Sequence, residues 1–485
     1  MNRIRYYSTN NKSECVSFET ALLRGLASQY GLYMIKRADI PKLSASSIKA
    51  MHGFTYAQIA FAVLNPFLQD EIAQEDLEKM LDDAYDDSVI PTTVQQVTGR
   101  TFIMWLSKGP TYSFKDYAAR FFARVLNYFL KRSGCKRVVA VATSGDTGGA
   151  VADALHNQDS VDNLVFFPRG SITERQRRQM TTLRDNIHAF EVNGDFDVCQ
   201  ALAKQLLGDS TFAYEVFKDA DRFTSANSIS LGRLLPQAVY PFFAYSRIAH
   251  YGEPLIASVP SGNFGDMMGT VIAKEMGLPV EKILCGVNEN REFPHFLETG
   301  EYVVKPSVQS PSSAMIVSNP SNFARLIDLY GGHVYDRRNA QGKIIREGVI
   351  DIQPDLSAMR KDLYSISVSN PDHYHAMRDV YERFGIIIEP HGAVGWRTLE
   401  TFLAGKHDRP AVVYETADPG KFPDDIQKAI GIVPPIPEKI AQQSALHERV
   451  YLIDDPPHIN KDGSMALSDA QYEKAKEIVR GIFLP

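Results

Sequence analysis

Lys115 is the first residue with chemical promise. Gly109-Pro110-Thr111-Tyr112-Ser113-Phe114-Lys115-Asp116 reads as a turn that opens an amphipathic helix from Asp116 to Leu130. A cation near a helix N-terminus is electrostatically disfavoured. A neutral amine, or one tied up in an imine, suffers less, so Lys115 is either a reactive amine or a surface lysine of the first turn. Pro260-Ser261-Gly262-Asn263-Phe264-Gly265 offers a complementary chemistry. Small residues between a strand and a helix let backbone N–H groups approach an anion, and the helix dipole favours the negative charge. The segment lacks the Gly-Lys-Ser/Thr of a Walker loop and is not G-x-G-x-x-G. It is a phosphate cradle or an ordinary tight turn.

Two further segments carry polar groups at helix starts. Ser144-Gly145-Asp146-Thr147-Gly148-Gly149 presents two hydroxyls to a carboxylate or phosphate, or else uses Asp146 or Thr147 to cap a helix beginning near Gly148. Asn227-Ser228-Ile229-Ser230-Leu231-Gly232-Arg233 opens another helix with Asn227 or Ser228 as its cap, and Arg233 points either at a neighbouring site or at solvent.

Elements that position these groups are visible from about residue 100. Apolar, β-branched runs occur at Arg137–Thr143, Asn163–Phe167, Pro254–Val259, Lys282–Val287, Gly385–Ile388 and Pro410–Glu415, and many are separated by helical patterns. Runs apolar on both faces of the pleat, alternating with helices, predict parallel sheets covered by helices, an α/β fold. Four of these runs lead into polar, turn-rich loops, after residues 143, 259, 388 and 415. In open α/β sheets ligands bind beyond the carboxyl ends of the strands, so the four loops predict one shared site. The first 95 or so residues read as mainly helical. They hold a helix start at Ser17, a helix over Tyr56 to Leu68 and an acidic helix from Gln74 to Asp87. The predicted organisation is therefore an N-terminal helical region over 1–95, a smaller α/β lobe over 96–250 carrying the lysine segment, and a larger lobe over 251–485 with the glycine/asparagine loop. A proline-marked extension begins near Pro434 and ends in a helix from Ser468 to Phe483.

Composition excludes several classes of function. The 485 residues carry 52 Lys plus Arg and 58 Asp plus Glu, a net charge of −6 with no basic footprint for nucleic acid. The densest basic cluster, Arg175 to Arg178, reads as a solvated helix face. With 44% hydrophobic and 23% charged residues the chain is globular rather than disordered or fibrous. No apolar run approaches the ~20 residues of a membrane span, and the first residues lack the apolar core of a secretory signal. Cys15, Cys135, Cys199 and Cys285 are scattered, with no C-x-x-C and no metal-ligand spacing, as in reduced cytosolic proteins. The expectation is a cytoplasmic protein with no metal, no nucleic-acid partner and no membrane partner.

Taken together and in order, the motifs resemble those of fold-type II pyridoxal-phosphate enzymes, and within that class the threonine synthase family. The pattern Gly-Pro-Thr-x-x-Phe-Lys-Asp matches 109–116, Ala-Thr-Ser-Gly-Asp-Thr-Gly matches 142–148, and Asn-Ser-Ile with a following Arg matches 227–233. Val-Pro-Ser-Gly-Asn-Phe-Gly-Asp matches 259–266, Asn-Glu-Asn matches 288–290, and Pro-His with Ala-Val-Gly matches 390–395. The resemblance runs from about residue 5 to about residue 430. It implies two parallel-sheet α/β lobes of the tryptophan synthase β kind, with pyridoxal 5'-phosphate between them. Lys115 would be the Schiff-base lysine that also moves protons. Gly262, Asn263, Phe264 and Gly265 would hold the cofactor phosphate, and Thr416 would meet the pyridine nitrogen. A hydroxyl at that place implies a less protonated nitrogen and a milder electron sink than an Asp partner would give. Lys108, Thr111, Ser144, Asp146, Thr147, Asn227, Ser228 and Arg233 would surround a phosphorylated amino acid.

The implied reaction converts O-phospho-L-homoserine and water to threonine and phosphate. Departures from the family pattern occur at Ser107-Lys108 in place of Phe-His, Ser230 in place of Asn, Gly392 in place of Thr, and Asp418 and Gly420 in place of His and Ala. They keep open a phospholyase that releases phosphate, ammonia and a 2-oxo acid. A non-catalytic phosphate-binding protein is the reading from another class, and Lys115, which a mere binder does not need, argues against it. Monomer and homodimer are both compatible with the sequence.

Overall fold

The computed structural model describes residues 3–339, 344–404, 408–460 and 463–484. Two sheets organise the chain. The larger has six strands in the order Leu363–Ser367, Val280–Val287, Leu255–Pro260, Ala411–Glu415, Thr101–Trp105 and Thr93–Thr98. All neighbours are parallel except the last pair, which is antiparallel and forms one edge. The smaller sheet is parallel throughout, in the order Val450–Ile453, Ile187–Val192, Val161–Pro168, Arg137–Ala142 and Phe223–Ser225. Every residue of Leu255–Pro260 is buried, as helices on both faces require of a central parallel strand. The α/β expectation and five of the six predicted strands are realised at these positions.

The lysine-bearing helix is Lys115–Ser133. Its buried face, with Tyr117, Phe121, Phe122, Val125, Leu126, Phe129 and Leu130, follows the helical period. It ends at Gly134, whose φ of 66° is the left-handed geometry that lets the chain turn away. In the N-terminal region Ser17 accepts from the Thr20 amide and starts the helix Phe18–Arg24, and Thr55 with Gln58 forms a capping box for Tyr56–Leu68.

Several expectations are corrected. The run Gly385–Ile388 is not a strand. Gly385, at φ 67°, ends the helix Asn370–Phe384, and Pro390 begins the helix Pro390–Leu403, leaving too short a link for a sheet ladder. Its isoleucines are apolar because they pack on the core near Trp396. The N-terminal region also contains a three-stranded antiparallel sheet, Asn11–Val16, Tyr6–Ser8 and Tyr33–Ile35, whose strands are too short to show a period. Sheet membership departs from a linear division at residues 96 and 250. Thr101–Trp105 belongs to the larger sheet, and Val450–Ile453 returns to edge the smaller one. The terminal helix Asp469–Phe483, capped by Ser468, follows it there and adds Tyr472, Ala475 and Val479 to the smaller lobe's core.

The basic cluster at 175–178 is not simply solvated. Arg175 donates to the Gly420 carbonyl, Arg177 meets Glu448 at 2.8 Å, and Arg178 donates to the Ser444 carbonyl at 3.1 Å. These contacts fasten the C-terminal segment to the smaller lobe. Cys15 and Cys135 are exposed and Cys199 and Cys285 buried, all as free thiols. Among the described residues no cluster of three metal-ligating side chains occurs, and no helix is long and apolar enough to cross a membrane.

Candidate active site

Loops from both sheets and the start of the Lys115 helix enclose one cavity. Lys115, Ser144, Asp146, Thr147, Asn227, Ser228, Arg233, Gly262, Asn263, Gly265 and Thr416 all line it. Parallel strands end on the same side, so segments separated by 300 residues of sequence arrive together. Lys115 is half-buried there, and desolvation, reinforced by the nearby cations Lys421 and Arg233, lowers its amine pKa against the opposing pull of Asp146 and Asp266. A lowered lysine pKa raises the fraction of neutral, nucleophilic amine.

The segment from Gly262 to Gly265 is built as an anion cradle. Phe264 takes a left-handed φ of 60° and precedes the helix Gly265–Glu275, which has no side-chain cap. In its first turn the Met267 amide donates to Asp266 Oδ1 at 2.9 Å, so the backbone left to meet an anion is that of the loop leading into the helix. A Cβ on Gly262 would lie 2.8 Å from the Ala314 carbonyl, so only glycine lets the backbone pass there. The loop is braced from outside, since the Asn322 side chain donates to the Asn263 carbonyl at 2.9 Å. The Phe264 ring does not line the cavity but packs edge-on against Phe293, with ring centroids 4.8 Å apart.

Across the cavity the polar groups are of the second kind. Arg233 is buried, donates to the Ala226 carbonyl at 2.7 Å, and leaves its Nε without a partner. Burial lowers its pKa to about 10. A buried guanidinium with an unpaired N–H needs an anionic ligand. Asn227 does not cap a helix. Its amide bridges Ala142, accepting from that residue's N–H at 3.2 Å and donating to its carbonyl at 2.7 Å, which holds the 226–233 turn against the end of the strand Arg137–Ala142. Ser230 instead occupies the N-cap position of Leu231–Leu234. The Ser144 loop is likewise capped from within by Thr143, whose hydroxyl accepts from the Gly145 and Gly148 amides at 2.9 and 2.8 Å, not by Asp146 or Thr147.

Asp146 is held by Lys421 at 2.5 Å and by the Gln176 amide at 3.0 Å. Burial alone would raise its pKa, but Lys421 and Lys115 hold it well below the usual carboxylate range. Lys421 also donates to the Thr111 carbonyl at 3.0 Å, tying the last-strand loop to the lysine turn. Lys421 had no individual signal in the sequence. It is visible only because its partner lies 275 residues away in the chain.

Lys108 and Thr111 lie outside the cavity lining. Thr111 donates its hydroxyl to Asp116 at 2.5 Å and its amide to the same carboxyl at 2.8 Å, shaping the turn before Lys115. Lys108 pairs with Asp418 at 3.0 Å, partly exposed and near the Trp105 ring. Two departures from the family pattern are thus one compensated exchange, a charged pair where the family has two histidines. Gly392 is a third. A Cβ there would lie 1.6 Å from Glu415 Oε2, so the glycine makes room for a buried carboxyl. Gly392→Ala is expected to destabilise the protein by about 1–3 kcal/mol through overpacking. A double-mutant cycle with Glu415→Ala, read by thermal unfolding, should recover most of that loss; additive effects would show that the two side chains do not compete for the space. His391, Gln237, Asp266 and Met315, not singled out from sequence, also face the cavity.

The covered parallel sheets, the lysine at their carboxyl ends and the uncapped helix across from it define a fold-type II pyridoxal-phosphate-dependent enzyme, and residues 91–414 match the family described as pyridoxal-phosphate dependent enzyme. Residues 5–85 match the threonine synthase N terminus, and residues 392–461 match the threonine synthase C-terminal family. Over 466 residues the chain is 35% identical to a threonine synthase of Pseudomonas aeruginosa, covering 93% of this chain and 96% of that one. It is 33% identical to the Escherichia coli threonine synthase, over 91% of this chain and 95% of that protein. The crystal structure of a pyridoxal-phosphate-bound threonine synthase from Brucella melitensis superposes with a TM-score of 0.84 at 30% identity, over 99% of this chain and 100% of that chain. This chain belongs to the threonine synthase family.

Proposed function

We propose that the chain is a pyridoxal-phosphate-dependent threonine synthase that converts O-phospho-L-homoserine and water to L-threonine and phosphate. The observation that carries this reading is one cavity holding a lysine of lowered pKa between two surfaces suited to anions, the 262–265 cradle and the buried Arg233. Two phosphates, one of the cofactor and one of the substrate, need two such surfaces. When bound, pyridoxal phosphate supplies an electron sink that makes protons near the substrate nitrogen removable.

Lys115 would hold that group covalently and act as the base, taking the α proton and then a β proton of the substrate. Gly262, Asn263, Phe264 and Gly265 would give backbone N–H groups to the cofactor phosphate, and Thr416 would offer its hydroxyl to the ring nitrogen. Arg233, with the hydroxyls of Ser144, Thr147 and Ser228, grips the substrate phosphate in a charge-assisted fork and stabilises it as it leaves Cγ. Asn227 and Asp146 keep those loops in register. Water then adds at Cβ, so that one water is consumed and one phosphate released. Lys108 and Thr111 shape the rim and the lysine turn rather than touching substrate.

The phospholyase alternative rested on the departures from the family pattern. Among them, Lys108 and Asp418 are paired with each other outside the cavity, Gly392 accommodates a carboxyl behind it, and Ser230 is not one of the lining residues, which supports the synthase. The test is incubation of the cofactor-loaded protein with O-phospho-L-homoserine, following phosphate and identifying the organic product by mass spectrometry. Threonine supports the proposal; 2-oxobutyrate with ammonia replaces it with the lyase.

Arg233→Lys removes the planar fork but keeps the charge. Hydrogen bonds to charged groups contribute ~1.5–3 kcal/mol, so kcat/KM should fall roughly 10- to 100-fold. An unchanged kcat/KM in steady-state kinetics would place the substrate phosphate elsewhere.

A further inference from the structure

Behind the cavity lies a buried cation that the reaction above does not use. Arg325, in the helix Phe323–Leu329, is 0% exposed. Its Nε donates to the Tyr33 carbonyl at 2.9 Å. Its Nη1 donates to the Ser228 carbonyl at 3.1 Å and to Asn322 Oδ1 at 2.6 Å, and its Nη2 to the Ile229 carbonyl at 2.6 Å. Every one of these acceptors is a neutral oxygen. Among the described residues no carboxylate pairs with the guanidinium, and although burial lowers its pKa to about 9 it stays cationic at neutral pH. A buried charge is ordinarily paired, and here no side chain supplies the partner.

The loops that meet at Arg325 are those on which the cavity depends. Ser228 lines the cavity and Arg325 does not. The Ser228 carbonyl is therefore turned back towards Arg325, where it does not repel a bound anion. Asn322, also fully buried, carries the grip to the other surface. With its Oδ1 committed to the guanidinium, this amide can present only its NH2 to the cradle, and that NH2 donates to the Asn263 carbonyl at 2.9 Å. One guanidinium and one amide thus join two loops of different sheets. The cradle follows Leu255–Pro260 of the larger sheet, and the Ser228 loop follows Phe223–Ser225 of the smaller one. The Tyr33 carbonyl ties the N-terminal sheet to the same point.

We propose that Arg325 is a positioning residue that clasps the two anion-binding surfaces into one unit, so that the affinities for the cofactor phosphate and for the substrate phosphate both depend on it. This rests on the reading that the 262–265 cradle and the loop bearing Ser228 and Arg233 are those two surfaces. Neither phosphate touches Arg325. Its hydrogen bonds fix the backbone that each phosphate meets. Its charge, weakly screened in so dry a place, favours an anion on either surface.

The test uses holoenzyme and two readouts, one of them free of turnover. The visible absorption of bound cofactor, followed on serial dilution, gives the cofactor dissociation constant. Inorganic phosphate, used as an inhibitor of O-phospho-L-homoserine turnover at saturating cofactor, gives an inhibition constant for the substrate-phosphate surface. Arg325→Lys keeps the charge and loses the fork, so both constants should rise roughly 10-fold or more, as for hydrogen bonds from a charged group. Asn322→Ala removes the other half of the clasp, and both constants should rise about 3- to 10-fold, as for neutral hydrogen bonds. This second variant decides the matter where Arg325→Lys fails to fold. A lowered melting temperature with both constants unchanged would make Arg325 a structural cation only and overturn the inference. A rise in one constant alone would overturn the shared clasp. Wild-type holoenzyme that phosphate does not inhibit would overturn the reading of the two surfaces itself, a result seen before any variant is made.

Discussion

Lys115→Ala should lower turnover of O-phospho-L-homoserine by roughly 10^4-fold or more, the upper end of what a positioned proton-transfer group contributes. It should also abolish the visible absorption of the cofactor-loaded protein. The expectation rests on placement. Lys115 opens the helix Lys115–Ser133, lines the cavity half-buried, and has its amine pushed towards the neutral form by desolvation. A surface lysine in the first turn would do none of this. The same side chain is asked to bind covalently and to move protons, so its loss removes both functions at once, and no neighbouring amine replaces it. Lys421 sits in the same region but is committed to Asp146 and to the Thr111 carbonyl. Unchanged colour and turnover in Lys115→Ala would sink the assignment. An intact fold, checked by circular dichroism, separates lost chemistry from lost structure.

Lys421→Met should destabilise the protein by about 3–5 kcal/mol, because it leaves Asp146 as a buried charge without its partner. The Lys421 side chain is 0% exposed and that of Asp146 3% exposed. Attraction in so dry a place offsets desolvation only while both members are present. The depressed Asp146 pKa expresses the same coupling: its contribution is present above the ordinary carboxylate range and is lost as pH falls through the folded value. Lys421→Met should therefore flatten the acid limb of the stability profile as well as lower its plateau. Denaturant titrations at several pH values measure both. The pair Lys421→Met with Asp146→Asn should recover part of the loss, since no isolated charge then remains. Equal losses in the single and double variants would mean that packing, not charge, makes Lys421 matter.

How far the sequence reveals this site follows from the range of the interactions involved. The strands Arg137–Ala142, Leu255–Pro260 and Ala411–Glu415 were legible because burial on both faces leaves an apolar run, and the loops after them because small and polar residues gather where a backbone must bend around a ligand. The same rule misled at Gly385–Ile388, where an apolar run serves helix packing instead. Capping failed at Asp146, Thr147 and Asn227 for a related reason. Each is the right residue type for a cap, but Thr143 had already satisfied the first turn, and Asn227 found a strand to bridge. Lys108 and Asp418 each looked like a departure bearing on substrate, and only their 3.0 Å separation shows that they answer each other.

The sequence by itself determined the chemistry available: an amine at a helix start, an anion cradle at another, an arginine between hydroxyls, and the α/β alternation that brings strand ends together. These are local properties of residue type and spacing. Tertiary structure decided which of these groups face one another and in what charge state. The Lys421–Asp146 pair, the room Gly392 makes for Glu415, the return of Val450–Ile453 to the smaller sheet and the grip of Arg325 on Ser228 depend on desolvation and on contacts between distant segments. Burial and neighbours, not residue type, set the protonation of a side chain, and neither exists until the chain has folded.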